Sequence, residues 1–126
     1  MAITSLVPLL ESDDLPGTIA FYTGILGYKL VDATPDEKNP YWMCLKRDEV
    51  YIMFSNRNAH SPAKKPTFTG VLYHYTDEVD ALWEAWKDKV EIAWPIEDFY
   101  YGLREFGIKD NNGYWLSFGQ EIDASV

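Results

Sequence analysis

One cysteine and two histidines are all that the 126-residue chain has of these types. Cys44 has no partner for an intramolecular disulfide, and its apolar and aromatic neighbours mark it as a small buried hydrophobe rather than a catalytic thiol. His60 and His74 are the only imidazoles, so a histidine-rich metal centre or a serine–histidine triad has little to be built from. No apolar run reaches the roughly 18 residues that would span a bilayer. The N-terminus also lacks the basic-then-apolar layout of a secretory signal, and the expectation is a cytoplasmic protein without membrane contact. Basic residues are scarce as well: 11 Lys and Arg stand against 20 Asp and Glu, a formal charge of −9. Residues 1–63 hold five basic and eight acidic side chains, −3, and residues 64–126 hold six and twelve, −6. With no basic patch in either half, nucleic acid is not the expected partner; the field favours a cationic ligand, and the excess carboxylates serve equally well to keep a small domain soluble, so charge alone does not choose.

With 47% hydrophobic and 25% charged residues, the composition suits one globular domain over 1–126. Residues 3–10 read as an apolar strand. Ser12, Asp13, Asp14 and Pro16 then announce a helix whose Leu15, Ile19, Tyr22 and Leu26 form one stripe, with Gly27 placed for a left-handed C-terminal cap. Strands follow at 28–33, 41–46 and 50–55, the last two joined by a turn at Asp48 and Glu49. Residues 56–67, with two prolines and few hydrophobes, read as an exposed connection. The plan then repeats. A strand at 68–75 leads to a cap at Thr76 or Asp77 and a helix with Val79, Leu82, Trp83, Trp86 and Val90 on one face; strands follow at 91–94, 103–109 and 114–120. Asp110-Asn111-Asn112-Gly113 is the strongest hairpin signal in the chain, and the stretch 95–102 reads as a long loop in which Glu97 and Asp98 can meet a cation. The expected fold is α+β, two tandem βαβββ repeats at 1–58 and 68–126 that form a curved mixed sheet around a cavity.

Particular residues carry a family resemblance at this point. Val7-Pro8-Leu9-Leu10, Asp14, and Phe21-Tyr22 through Leu26-Gly27-Tyr28 resemble the opening of the vicinal-oxygen-chelate superfamily of glyoxalases, bleomycin-resistance proteins and extradiol dioxygenases. Tyr75 to Leu82 resembles its central strand-to-helix turn, and Gly102 to Phe106 with Lys109-Asp110 and Gly113 its closing hairpin. The resemblance covers essentially the whole chain. It implies that enzymatic members hold a divalent metal with histidine and glutamate ligands on the first, fourth, fifth and eighth strands. Laid on that pattern, this chain has Val7, Met53, Val71 and Ser117 at those places, none of them a hard-metal ligand. A one-residue slip that brings His74 or Glu105 inward still leaves fewer than the usual three ligands. The resemblance therefore runs closest to the metal-free bleomycin-resistance group, small acidic dimers that sequester a cationic glycopeptide antibiotic between subunits. The expectation is a homodimeric binder of a cationic or aromatic small molecule, without cofactor or catalytic residue. The alternatives are a metal-dependent lyase or dioxygenase of the glyoxalase type and an assembly module without ligand.

Aromatic residues make up 16% of the chain. Period-two alternation sets Val71, Tyr73 and Tyr75 on one face, Tyr51 with Met53, and Trp115 with Ser117. The candidate ligand-binding set is Trp42, Tyr51, Met53, Tyr73, Tyr75, Tyr101, Arg104, Trp115 and Ser117; its aromatic rings stack on flat ligands and attract cations, or else fill the sheet core or the dimer seam. Arg104 alternates with Phe106 and Ile108, where a guanidinium seeks a carboxylate partner or an anionic ligand; Glu105 faces the other way. His74, set opposite Tyr73 and Tyr75, reads as a histidine packed against a helix.

Overall fold

In the computed structural model of the protein, which describes residues 1–122, polar caps and turns mark out the elements. In chain order these are β1 (Leu9–Glu11), α1 (Leu15–Gly24), β2 (Lys29–Thr34), β3 (Trp42–Arg47), β4 (Val50–Ser55), β5 (Val71–Tyr75), α2 (Val79–Trp86), β6 (Glu91–Asp98), β7 (Leu103–Lys109) and β8 (Trp115–Glu121). The fold is α+β with two βαβββ units and no closed barrel. Each unit has its own four-stranded mixed sheet, in the orders β1-β4-β3-β2 and β5-β8-β7-β6. Only the β1–β4 and β5–β8 pairs are parallel, as a strand-helix crossover requires. The chain divides into two compact units between Thr67 and Phe68, and residues 123–126 of the second expected repeat lie outside the described residues.

In the first unit the Asp14 carboxylate accepts from the Gly17 N–H at 2.9 Å and Pro16 sits in the first turn, so α1 starts where the sequence sets it. Gly27, at φ 77, turns the chain so that the Tyr28 N–H reaches the Tyr22 carbonyl at 2.9 Å. Tyr22 and Leu15 on α1 close over Met43, Leu45, Ile52 and Phe54, all buried, with Tyr22 and Phe54 rings 5.3 Å apart. The connection after β4 belongs to this unit. Arg57 donates to the carbonyls of Lys64 and Ala63 and pairs with Glu11, whose carboxylate also accepts from the Asn58 N–H.

In the second unit α2 lies on Phe106, Ile108, Leu116 and Phe118, with the Trp86 ring 5.0 Å from Phe118. Its N-cap is Glu78 rather than Thr76 or Asp77. The capping bonds come from elsewhere: the Thr76 hydroxyl accepts from the Glu78 N–H, and the Gln120 side chain on β8 accepts from the Val79 N–H, both at 3.0 Å. Asp110 receives the N–H groups of Asn112 and Tyr114 at 2.8 and 2.9 Å, and Gly113 at φ 86 completes the β7–β8 turn.

Four sequence boundaries are corrected. Residues 3–8 are not in a strand; Pro8 has no N–H to give, and only its carbonyl joins β4, by accepting from the Met53 N–H at 2.9 Å. The strand expected from 68 begins at Val71, because Phe68 folds back over Gly70 to meet Tyr114 edge-on at 6.4 Å. Helix α2 stops at Trp86, leaving Val90 beyond it. Strand β6 runs on through Pro95 to Asp98, so the long loop shrinks to Phe99–Gly102. An edge strand tolerates proline because one side needs no donors, and the β6–β7 register shifts on either side of Trp94.

Truncating Leu116, fully buried under α2, to alanine is expected to lower stability by about 2–5 kcal/mol. Asp14→Ala, which removes one cap, is expected to lower it by about 1 kcal/mol. Urea unfolding midpoints of the two variants check the order.

Candidate functional site

A sheet packed on one helix keeps its other face bare, and the candidate residues fall mostly on those bare faces. In the first unit, pairing sets Trp42 beside Ser55, Cys44 beside Met53 and Lys46 beside Tyr51, all on the side away from α1. The Lys46 ammonium lies 5.2 Å from the centre of the Tyr51 ring, so that ring already holds a cation from its own sheet. Burial, then the nearby Asp32, pushes the Cys44 thiol up, which keeps it from acting as a thiolate.

In the second unit the bare face carries Val71, Tyr73 and Tyr75 from β5, Trp115, Ser117 and Gly119 from β8, and Glu105 and Gly107 from β7. Tyr73 pairs with Ser117, Ser117 with Gly107, and Gly119 with Glu105. Glu105 is at its centre. Only 4% exposed, its carboxylate accepts from Tyr73 Oη and Tyr101 Oη at Oε1, both at 2.6 Å, and from Trp94 Nε1 at Oε2, 3.1 Å. Short O–H···O⁻ bonds of this kind are charge-assisted and stronger than neutral ones. Glycine makes the arrangement possible. A Cβ at Gly107 would stand 2.3 Å from the Trp94 ring, and one at Gly119 would stand 3.0 Å from Tyr73 Oη. Trp94 in turn meets Trp115 edge to face at 5.9 Å.

Around this buried anion the rings stay open: Tyr73 is 39% exposed, Trp115 46% and Tyr75 72%. Ser117 is fully buried, and its Oγ has no hydrogen-bond partner among the described residues. Both phenols are held protonated. Burial and then the hydrogen bond to Glu105 push Tyr101 up to about 12, and the same causes in the same order raise Tyr73. Neither is a base near neutral pH; both are donors.

Of the candidate set, Tyr73, Tyr75, Trp115 and Ser117 share this face, and Tyr101 reaches it from the β6–β7 turn. Trp42, Tyr51 and Met53 are together on the bare face of the other unit. Arg104 is not with either group. It shares the α2 side of its sheet with Phe106 and Ile108, and its guanidinium is clasped by Asp80 at 3.0 Å and Asp98 at 3.1 Å. His74 also packs on that side, its ring stacked on Phe118 at 4.3 Å and Nδ1 2.9 Å from the Leu72 carbonyl. Sequence reasoning did not name Trp94 as a site residue and named Glu105 only as a metal ligand reached by a one-residue slip, whereas Glu105 stands on the Ser117 side of the sheet in the observed register. The available signal was Glu105 alternating with Gly107 opposite β8 residues of the aromatic face.

The divalent metal of the enzymatic relatives does not fit these residues. Among the described residues no three His, Cys, Asp or Glu side chains come together to hold an ion, and Val7, Met53, Val71 and Ser117 offer no imidazole or carboxylate. No helix is long and apolar enough to cross a membrane among the described residues.

The profile of the Glyoxalase/Bleomycin resistance protein/Dioxygenase superfamily matches residues 7–118, and the chain belongs to that superfamily. No curated protein matches it in sequence. Solved structures share its fold at low identity. TioX from Micromonospora sp. ML1 has a TM-score of 0.76 at 17% identity, covering 94% of this chain and 99% of its own. Lactoylglutathione lyase from Agrobacterium tumefaciens has 0.70 at 18%, covering 95% and 96%. The bleomycin-binding protein from bleomycin-producing Streptomyces verticillus, complexed with copper(II)-bleomycin, has 0.69 at 20%, covering 94% and 96%.

Alkaline titration tests the phenol network. An unfolded tyrosine loses its proton near 10.0, whereas folded Tyr101 keeps it to about 12 and Tyr73 is raised likewise. The unfolded chain then binds fewer protons than the folded one, so stability is fully present below pH 10 and falls as pH rises from 10 towards 12. Tyrosinate absorbance of the folded protein is expected to lag behind that of the unfolded chain. Tyr101→Phe is expected to remove one late-ionising group.

Proposed function

We propose that the protein is a metal-free small-molecule-binding protein of the bleomycin-resistance type, which sequesters a cationic or aromatic ligand in the cytoplasm as a homodimer. The observation that carries this reading is the bare face of the second unit, where the open rings of Tyr73, Tyr75 and Trp115 share one side of the sheet with the buried Glu105 carboxylate. Flat rings supply stacking and cation–π attraction, on the order of 0.5–2 kcal/mol per contact when desolvated. The formal charge of −9 adds a field that draws cations. Fold-level likeness to a bleomycin-binding protein supports an antibiotic as ligand by analogy. Dimerisation is proposed because bare sheet faces and edges need cover, and a second copy of the chain is the partner always at hand.

The second reading is a metal-dependent lyase or dioxygenase of the glyoxalase type. It is favoured by the fold shared with lactoylglutathione lyase and opposed by the side chains of Val7, Met53, Val71 and Ser117, none of them a hard-metal ligand.

Titration with bleomycin or phleomycin, free and copper-loaded, followed by the fluorescence of the five tryptophans, tests the first reading. The expected result is saturable quenching near one ligand per subunit, weakened at least tenfold by Trp115→Ala or Tyr73→Ala, a loss of about 1.4 kcal/mol or more. No quenching at high micromolar ligand sinks the antibiotic assignment. Stoichiometric zinc, nickel, iron or manganese in the purified protein revives the enzyme reading. Gel filtration is expected to show twice the monomer mass; a monomer at working concentration counts against the dimer.

A further inference from the structure

Glu105 is an anion with no cation. Both of its oxygens accept hydrogen bonds, and all three donors are neutral: two phenols and an indole. Among the described residues no Lys, Arg or His pairs with it. Lys109, the basic residue of β7 on this face, is engaged by Glu91 at 3.3 Å, and Arg104 points to the α2 side, held by Asp80 and Asp98. Directly across the β6–β7 ladder from Glu105 stands Glu97, a second carboxylate with no ion pair among the described residues. Like charges placed opposite each other on a sheet repel, and desolvation of one of them sharpens the penalty.

Two more observations point from this uncompensated charge to a ligand. Ser117, on the same face and paired with Tyr73 and Gly107, has a fully buried hydroxyl without a hydrogen-bond partner among the described residues, although buried polar groups are almost always satisfied. Beside it, Tyr73 and Trp115 keep large parts of their rings open rather than packed. An acceptor in need of a donor, a negative charge in need of a positive one and open ring faces in need of a flat partner thus lie on one small area.

We propose that this face takes a flat organic cation bearing N–H groups, an aryl amidinium or a protonated heteroaromatic amine. Its ring lies against Tyr73 and Trp115, its charge faces Glu105 and Glu97, and an N–H is given to the Ser117 hydroxyl. This rests on reading the face as a small-molecule site and adds the anchor and the ligand class. A quaternary ammonium has no N–H for Ser117, and a carboxylate ligand is repelled by both glutamates. The indole and the two phenols hold the Glu105 carboxylate in place before the ligand arrives, so little ordering remains to be done on binding.

The test compares benzamidine with benzamide, nearly the same in shape and different in charge, against the full-length protein, following the indole N–H signals by NMR. Benzamidine is expected to bind at least tenfold more tightly than benzamide and to shift the Trp94 indole signal. Ser117→Ala is expected to weaken benzamidine about threefold or more while leaving the melting temperature unchanged or higher, since it removes an unsatisfied buried hydroxyl. Glu105→Gln is expected to erase the preference for the cation. Equal binding of the two probes, binding of neither at millimolar concentration, or a preference that survives in folded Glu105→Gln protein overturns the inference. Should Glu105→Gln not fold, the isostere pair and Ser117→Ala decide alone. Bleomycin binding without a benzamidine preference overturns the inference and leaves sequestration standing, whereas a benzamidine preference without bleomycin binding supports the inference and sinks only the antibiotic assignment.

Discussion

Each unit of this protein has one short helix and four strands, and one helix covers one face. At about 1.5 Å per residue, the ten residues of α1 and the eight of α2 are some 12–15 Å long. Four strands about 4.8 Å apart make a sheet of similar breadth. The match is good enough to bury Met43, Leu45, Ile52 and Phe54 under α1, and Phe106, Ile108, Leu116 and Phe118 under α2. Among the described residues neither unit has a second helix for the opposite face. The residues found there are therefore free of the demand for close apolar packing and can carry other chemistry.

The two bare faces use that freedom differently, although the topology is the same. On the first, Lys29 and Lys46 are cross-strand neighbours, and Lys46 lies over Tyr51. On the second, Glu97 and Glu105 are cross-strand neighbours, and tyrosine hydroxyls and an indole N–H turn towards the carboxylate instead of an ammonium turning towards a ring. A repeated fold thus carries different charge arrangements on equivalent sheet faces, Lys29 and Lys46 with Asp32 and Glu11 on the first and a Glu97–Glu105 pair on the second, and the difference comes from side chains the strand order does not constrain. Burial of Glu105 is tolerable because three donors replace its lost water, and those donors come within reach only because Gly107 and Gly119 leave room for Trp94 and Tyr73.

Local chemistry was legible where it acts over a few residues. Asp14 before α1, Gly27 after it and the Asp110-to-Gly113 turn work as their residue types imply, since each bond closes within six residues. The residues sharing a face on β4, β5, β7 and β8 likewise followed from alternation. Legibility failed at the ends of strands. Residues 3–8 look as apolar as any strand but make one ladder bond, and 95–98 look like a loop because of Pro95 yet extend β6 at a sheet edge. Both errors concern the availability of a neighbouring strand, which no window of sequence contains. The side of the sheet taken by Arg104 was readable, and so was its need for carboxylates; that these are Asp80 and Asp98 was not.

By itself the sequence determined the two βαβββ repeats, the excess of acidic groups, the absence of metal-type donors at Val7, Met53, Val71 and Ser117, and the face on which Tyr73, Tyr75 and Trp115 stand. These depend on residue type and on periods of two and 3.6, properties carried along the chain. Only the tertiary structure decided that Glu105 meets Tyr73, 32 residues away, and Trp94, 11 residues away, and that Ser117 is left without a partner. Those meetings are set by the register of β5 on β8 and of β8 on β7, and by the shifts in β6 that carry the Trp94 ring over Gly107. Pairing across strands is fixed by backbone hydrogen bonds between distant segments, and a bulge changes which side chains face each other without changing the composition of either strand.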